Sequence, residues 1–132
     1  DGSFVIGADQ TLDLDGQLFD KPASEQDARR QLQQLRGKTH HLHSAVACAR
    51  RGTIIWNAMA SAHLTMRNFS DAELETYISQ MGPKLLTSVG GYQIEALGIT
   101  LFEKVEGDYF TILGLPMLPL LAFLRQQGFK LP

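Results

Sequence analysis

Three short stretches hold side chains whose types suit phosphate chemistry: "GADQT" around Asp9, "DKP" around Lys21 and "GGYQIEALG" around Glu95. Asp9 is an oxygen donor able to hold a divalent cation such as Mg2+ or to accept a proton from water. Lys21, fixed before Pro22, is a point charge suited to phosphate. Gln10 and Glu95 can read hydrogen-bonding edges. Val5 and Ile6 read as the buried middle of a β-strand, and Asp9, Gln10 and Thr11 follow as a polar triplet leaving it. Ligands bind in the loops at the carboxyl ends of strands in open α/β sheets, which makes that triplet a candidate site. A solvated turn explains the same residues, and Lys21 and Glu95 likewise have surface explanations.

The remaining reactive side chains fit packing better than chemistry. In "HHLH", His41 and His43 share a strand face, which is compatible with chelation. No cysteine or carboxylate is suitably spaced nearby, so exposed or hydrogen-bonded strand histidines are the better reading. Cys48 sits in "SAVACA", where an apolar strand buries a thiol and raises its pKa. Trp56 beside Ile54 and Ile55 reads as packing. Neither phosphate-loop glycine signature is present.

The elements that must position these groups belong to a chain of 132 residues, 44% hydrophobic and 20% charged, which fits one globular domain over residues 1–132. The longest apolar stretch, "TILGLPMLPLLAFL", is interrupted by Pro116 and Pro119 and is too short for a membrane span of about 20 residues. A net charge of -2 without a basic run leaves no footprint for nucleic acid. The single cysteine excludes an internal disulfide and suits a reducing cytosol. The opening "DGSFVIGADQ" is not a secretory signal. It lacks Met and enters a strand almost at once, so upstream residues are expected.

A turn at Asp15-Gly16 should follow the first strand. Ser24 is a helix N-cap, with Ala28, Leu32 and Leu35 at helical spacing until Gly37, and Arg29, Arg30 and Arg36 solvated. Two long β-like runs flank Arg51-Gly52 as a hairpin, with Leu42, Val46 and Cys48 on one face. Ser70 and Glu73 form a capping box ahead of Leu74, Tyr77, Ile78 and Met81, Phe69 and Leu74 a hydrophobic staple, and Gly82-Pro83 ends that helix. Ile99 and Leu101 alternate with Thr100 and Phe102 as a strand, with a turn at Gly107. A last apolar helix around Leu118, Leu121, Phe123 and Leu124 lies between Pro116 and Gly128. The order predicts a mixed α/β architecture.

Taken together, "GADQT", "DKP", "RNFSDAELETYI" and "GYQIEALGITLFEKVEGDYFTILGLP" resemble the blocks of the Maf family of nucleoside triphosphate pyrophosphatases over nearly the whole chain. The resemblance implies a central mixed sheet flanked by helices around a cleft, as in inosine triphosphate pyrophosphatases, and often dimeric. It implies a cytosolic hydrolase dependent on Mg2+ or Mn2+ that splits a nucleoside triphosphate into monophosphate and pyrophosphate, clearing modified nucleotides. Members are also linked to arrest of septum formation, so a non-catalytic nucleotide- or partner-binding module in division control is the competing class.

By that resemblance Asp9 matches the catalytic acid and metal ligand, Lys21 the phosphate-contacting lysine, and Gln10 and Glu95 the positions that tune base choice. Thr with Gln at those two positions marks the branch favouring dTTP and UTP, whereas Gln10 with Glu95 looks like the branch associated with 7-methyl-GTP. Two departures stand out. Asp20 precedes Lys21 where the family has Gly, and Tyr92 and Ile94 resemble the dTTP/UTP branch. The family's Ser-x-Arg-Arg phosphate loop is expected upstream of Asp1.

Overall fold

Two tight reversals organise the strands. Asp15 and Gly16 (φ 51° and 89°) and Arg51 and Gly52 (φ 54° and 78°) all lie in the left-handed region. That is the type I′ geometry whose twist matches a two-residue hairpin. Asp13 assists the first reversal by accepting at Oδ1 from the Gly16 N–H at 2.7 Å. The structure, a computed structural model, describes residues 3–94 and 97–130.

Among the described residues there are five strands and four α-helices: β1 Phe4–Leu14, β2 Gln17–Phe19, α1 Glu25–Leu35, β3 Thr39–Arg50, β4 Thr53–Met66, α2 Asp71–Met81, β5 Phe102–Glu106, α3 Tyr109–Leu113 and α4 Met117–Gln126. The strands form one antiparallel sheet in the order β2-β1-β3-β4-β5, a mixed α/β fold. β2 pairs with β1 through Leu12↔Phe19, Asp13↔Leu18 and Leu14↔Gln17. β5 pairs with β4 from His63↔Glu106 to Met66↔Phe102, with an irregularity between Thr65 and Met66. No described helix is long and apolar enough to cross a membrane.

The contacts gather the chain into two compact units. The first takes in residues 3–10, 43–62 and 107–130. Its core is Val46, Cys48, Leu120 and Phe123, with Phe4, Trp56, Ala58, Leu115 and Leu124 packed against it. Trp56 stacks on Phe123 with ring centroids 4.7 Å apart. Phe4 meets Phe123 edge-on at 6.2 Å, and the Arg50 guanidinium lies over the Phe4 ring. Cys48 is fully buried, and burial pushes its thiol pKa up as expected.

The second unit takes in residues 11–42, 63–94 and 97–106. Helix α1 starts at Ser24, whose hydroxyl accepts from the Asp27 N–H at 3.1 Å, and buries Ala28, Leu32 and Leu35. Helix α2 starts with the reciprocal capping box of Ser70 and Glu73 and buries Leu74, Tyr77, Ile78 and Met81. Phe69 and Leu74 are both buried.

Several expectations are corrected. Val5 and Ile6 are 64% and 48% exposed rather than buried. β1 does not end at the polar triplet but runs through Asp9, Gln10 and Thr11 to Leu14, because backbone pairing carries a strand through polar residues regardless of their turn preference. Arg29 and Arg36 are not simply solvated: Arg29 makes two 2.7 Å hydrogen bonds to Glu75, and Arg36 one of 2.7 Å to Asp71. Residues 97–101 form a 3-10 turn, and β5 begins only at Phe102. Helix α3, capped by Asp108 accepting from the Thr111 N–H, was not expected. In α4, Leu118 is 61% exposed.

Candidate active site

In the first unit, successive residues of β1 alternate between the two sheet faces. Gln10 faces α3: its Nε2 donates to the carbonyls of Ile112 at 2.9 Å and Thr111 at 3.2 Å, and contacts Ser44 Oγ at 3.3 Å. Asp9 therefore projects from the opposite face. There it is exposed and lines a shallow cavity of about 570 Å3 with Gly7, Ala8, Ala45, Ala47, Asn57 and Met59. Asn57 is the other polar side chain in the lining and the rest are small or apolar, so Asp9 is the anionic group among the lining residues. Val5, Ile55 and Met59 are exposed at 64%, 43% and 73%.

The same alternation keeps Asp9 and Gln10 from serving one ligand from one face. The expected role of Gln10 in reading a base edge is narrowed as well, since its amide nitrogen is spent on α3 and only Oε1 is left as an acceptor.

Among the described residues no group of three or more His, Cys, Asp and Glu converges to hold a metal. A hard cation such as Mg2+ keeps several waters and is held by one or two carboxylates together with substrate phosphates. Asp9 is the residue fitted to that mode.

In the second unit, Lys21 is exposed in the segment between β2 and α1, beside the buried Pro22. The preceding Asp20 carbonyl accepts from Gln31 Nε2 at 2.8 Å. Gln31, only 8% exposed on the apolar stripe of α1, also accepts at Oε1 from the Gly90 N–H at 3.2 Å. Gly90 has φ 81°, and a side-chain carbon there would fall 2.8 Å from Leu12. The turn is held further by the Tyr77 hydroxyl donating to the Gly91 carbonyl at 2.9 Å. Tyr92 is fixed by His40 at 2.7 Å. Glu95 lies outside the described residues.

Sequence reasoning passed over Gln31. The available signal was a polar side chain between Ala28 and Leu32, on a helix face otherwise apolar.

The family model described as Maf-like protein matches residues 1–127. A nucleoside triphosphate pyrophosphatase of Caulobacter vibrioides is 59% identical over 124 residues, 94% of this chain and 62% of the relative. A protein of the same name from Paramagnetospirillum magneticum is 56% identical over 131 residues, 99% of this chain and 68% of the relative. A 7-methyl-GTP pyrophosphatase of Brucella abortus is 53% identical over 126 residues, 96% of this chain and 63% of the relative. The chain thus spans a little under two thirds of the length of most of these relatives.

Proposed function

From the premise that this chain belongs to the Maf-like protein family, we propose that the protein hydrolyses nucleoside triphosphates to a nucleoside monophosphate and pyrophosphate. The observation that carries the proposal is Asp9, an exposed carboxylate set on β1 in a cavity whose other walls are small or apolar apart from the Asn57 amide. The names of its relatives support the reaction class.

In this reading the Asp9 carboxylate takes a proton from a water whose oxygen forms a bond to the α-phosphorus. The bond from that phosphorus to the bridging oxygen breaks, and its electron pair leaves on pyrophosphate. Lys21 offsets the charge of the phosphoryl oxygens, the contribution on which phosphoryl transfer chiefly depends. Asp9 would hold Mg2+ or Mn2+ together with substrate oxygens. Such a cation, when bound, polarises the phosphoryl group and neutralises its charge.

Glu95 is proposed to select the base. A carboxylate accepts two N–H donors from a guanine edge, whereas uracil and thymine present one N–H between two carbonyls that a carboxylate repels. The preferred substrates are then guanine nucleotides of the 7-methyl-GTP kind, the substrate named for the Brucella relative. The work is assigned to the cytoplasm, where nucleoside triphosphates are held.

The test is pyrophosphate release by the protein at its natural length over 7-methyl-GTP, GTP, UTP and dTTP, with and without Mg2+ or Mn2+. Cation-dependent release supports the hydrolase. Saturable nucleotide binding with no release would replace it with a binding module.

A further inference from the structure

We propose that Gln31 is a positioning residue that locks the phosphate-side loop to the base-side turn, so that one buried amide sets both turnover and base selectivity. The proposal rests on the hydrolase reading above. Its basis is geometric. Nε2 donates to the Asp20 carbonyl at 2.8 Å, one residue before Lys21. Oε1 accepts from the Gly90 N–H at 3.2 Å, in the turn that continues in sequence to Glu95. Gln31 is only 8% exposed; its bond to Gly90 is buried, so breaking it leaves a backbone N–H without a partner, and its bond to Asp20 is partly buried. The amide suits this task because it has a donor and an acceptor at one end of one side chain.

The turn it holds packs against the same helix. Gly90 and Gly91 adopt φ 81° and 78°, and a side-chain carbon on Gly91 would rest 3.5 Å from Ala28 of the same helix. On the Asp20 side the side chain is exposed, and the Gln31 bond is made to its backbone carbonyl. Helix α1 is thus the common reference for both loops, and a displacement of about 1 Å at a substrate-positioning group costs up to a hundredfold in rate.

Two substitutions separate the bonds. Gln31→Met keeps the volume and removes both. Gln31→Glu keeps the acceptor for the Gly90 N–H but sets a carboxylate oxygen against the Asp20 carbonyl. Thermal midpoints establish that each variant is folded before kinetics are read. For Gln31→Met we expect kcat/KM to fall about ten- to a hundredfold and the ratio of guanine to pyrimidine nucleotide kcat/KM to narrow about tenfold. Amide exchange at Gly90 should accelerate about tenfold or more. Gln31→Glu should lower kcat/KM equally for all nucleotides, leaving the ratio and the Gly90 exchange at wild-type values.

A folded Gln31→Met variant with wild-type kcat/KM and base ratio overturns the proposal. So does one whose Gly90 exchange is unchanged. Should the wild-type protein release no pyrophosphate, the hydrolase reading falls by itself. Gly90 exchange then still decides the lock: acceleration in Gln31→Met supports it, and an unchanged rate overturns it.

Discussion

His40 Nε2 lies 2.7 Å from the Tyr92 hydroxyl, with both side chains buried and no hydrogen-bond partner at His40 Nδ1 among the described residues. Burial, with a smaller contribution from the neighbouring His41, lowers the His40 pKa from 6.5 to about 4. The folded protein therefore keeps this imidazole uncharged where the unfolded chain would protonate it.

Stability should accordingly fall as pH drops through the window from 6.5 to about 4, because the unfolded state there binds the extra proton. Between pH 7.5 and 5 the loss attributable to His40 is about 2 kcal/mol. Urea denaturation of the wild type and of His40→Gln at both pH values checks this. The variant should show a flatter pH dependence, and an equal loss in both proteins would assign the effect to other groups.

Asp9→Asn should reduce turnover by about a hundredfold or more while nearly preserving shape. Because Asp9 is exposed on a paired strand, the thermal midpoint should hardly move, as for surface substitutions within about 0.5 kcal/mol. Near-normal turnover in Asp9→Asn would remove Asp9 from the reaction.

The locally determined elements were legible in the sequence. Ser24 and Ser70 announce helices because a cap is a contact between residues three apart, and Asp15-Gly16 announces a turn because few residue pairs tolerate its φ values. What could not be read depends on distant partners. Arg29 meets Glu75 across 46 positions, and Gln10 meets Thr111 across 101. The continuation of β1 through Asp9 is likewise set by the strand beside it. Helix α3 is hidden because "YFTIL" has the aromatic and β-branched composition of a strand, and its Asp108 cap follows a turn glycine. As for the site, residue type and position make Asp9 and Lys21 candidates for phosphate chemistry, but each has a surface explanation too, and it is the likeness of their blocks to a family that favours the functional one.

Glu95 yields a substrate prediction. Guanine nucleotides, 7-methyl-GTP above all, should exceed UTP and dTTP in kcat/KM by about ten- to a hundredfold, the usual worth of one polar recognition pair. Glu95→Gln should shrink that margin, because an amide presents one donor and one acceptor where the carboxylate has two acceptors. A wild-type preference for UTP or dTTP would reverse the assignment.

Gln10 and Ser44 together act as a side-chain cap on α3. A helix of five residues has few intrahelical bonds for its last carbonyls and is too short to persist by itself, and the Thr111 carbonyl has one backbone donor, the Gly114 N–H at 3.1 Å. Here the Thr111 carbonyl accepts from Ser44 Oγ at 2.6 Å and from Gln10 Nε2 at 3.2 Å, and the Ile112 carbonyl accepts from Gln10 Nε2 at 2.9 Å. Both carbonyl-bearing residues are buried, so water does not readily replace these donors. Gln10→Leu should cost about 1–3 kcal/mol. Ser44→Ala should cost less, since Gln10 still reaches Thr111. Because the two donors share an acceptor, their effects should be coupled by about 0.5 kcal/mol or more in a double-mutant cycle. Urea denaturation of the two single variants and the double variant provides the measurement. Strictly additive losses would mean that α3 is held by its apolar contacts, with the two side chains contributing independently.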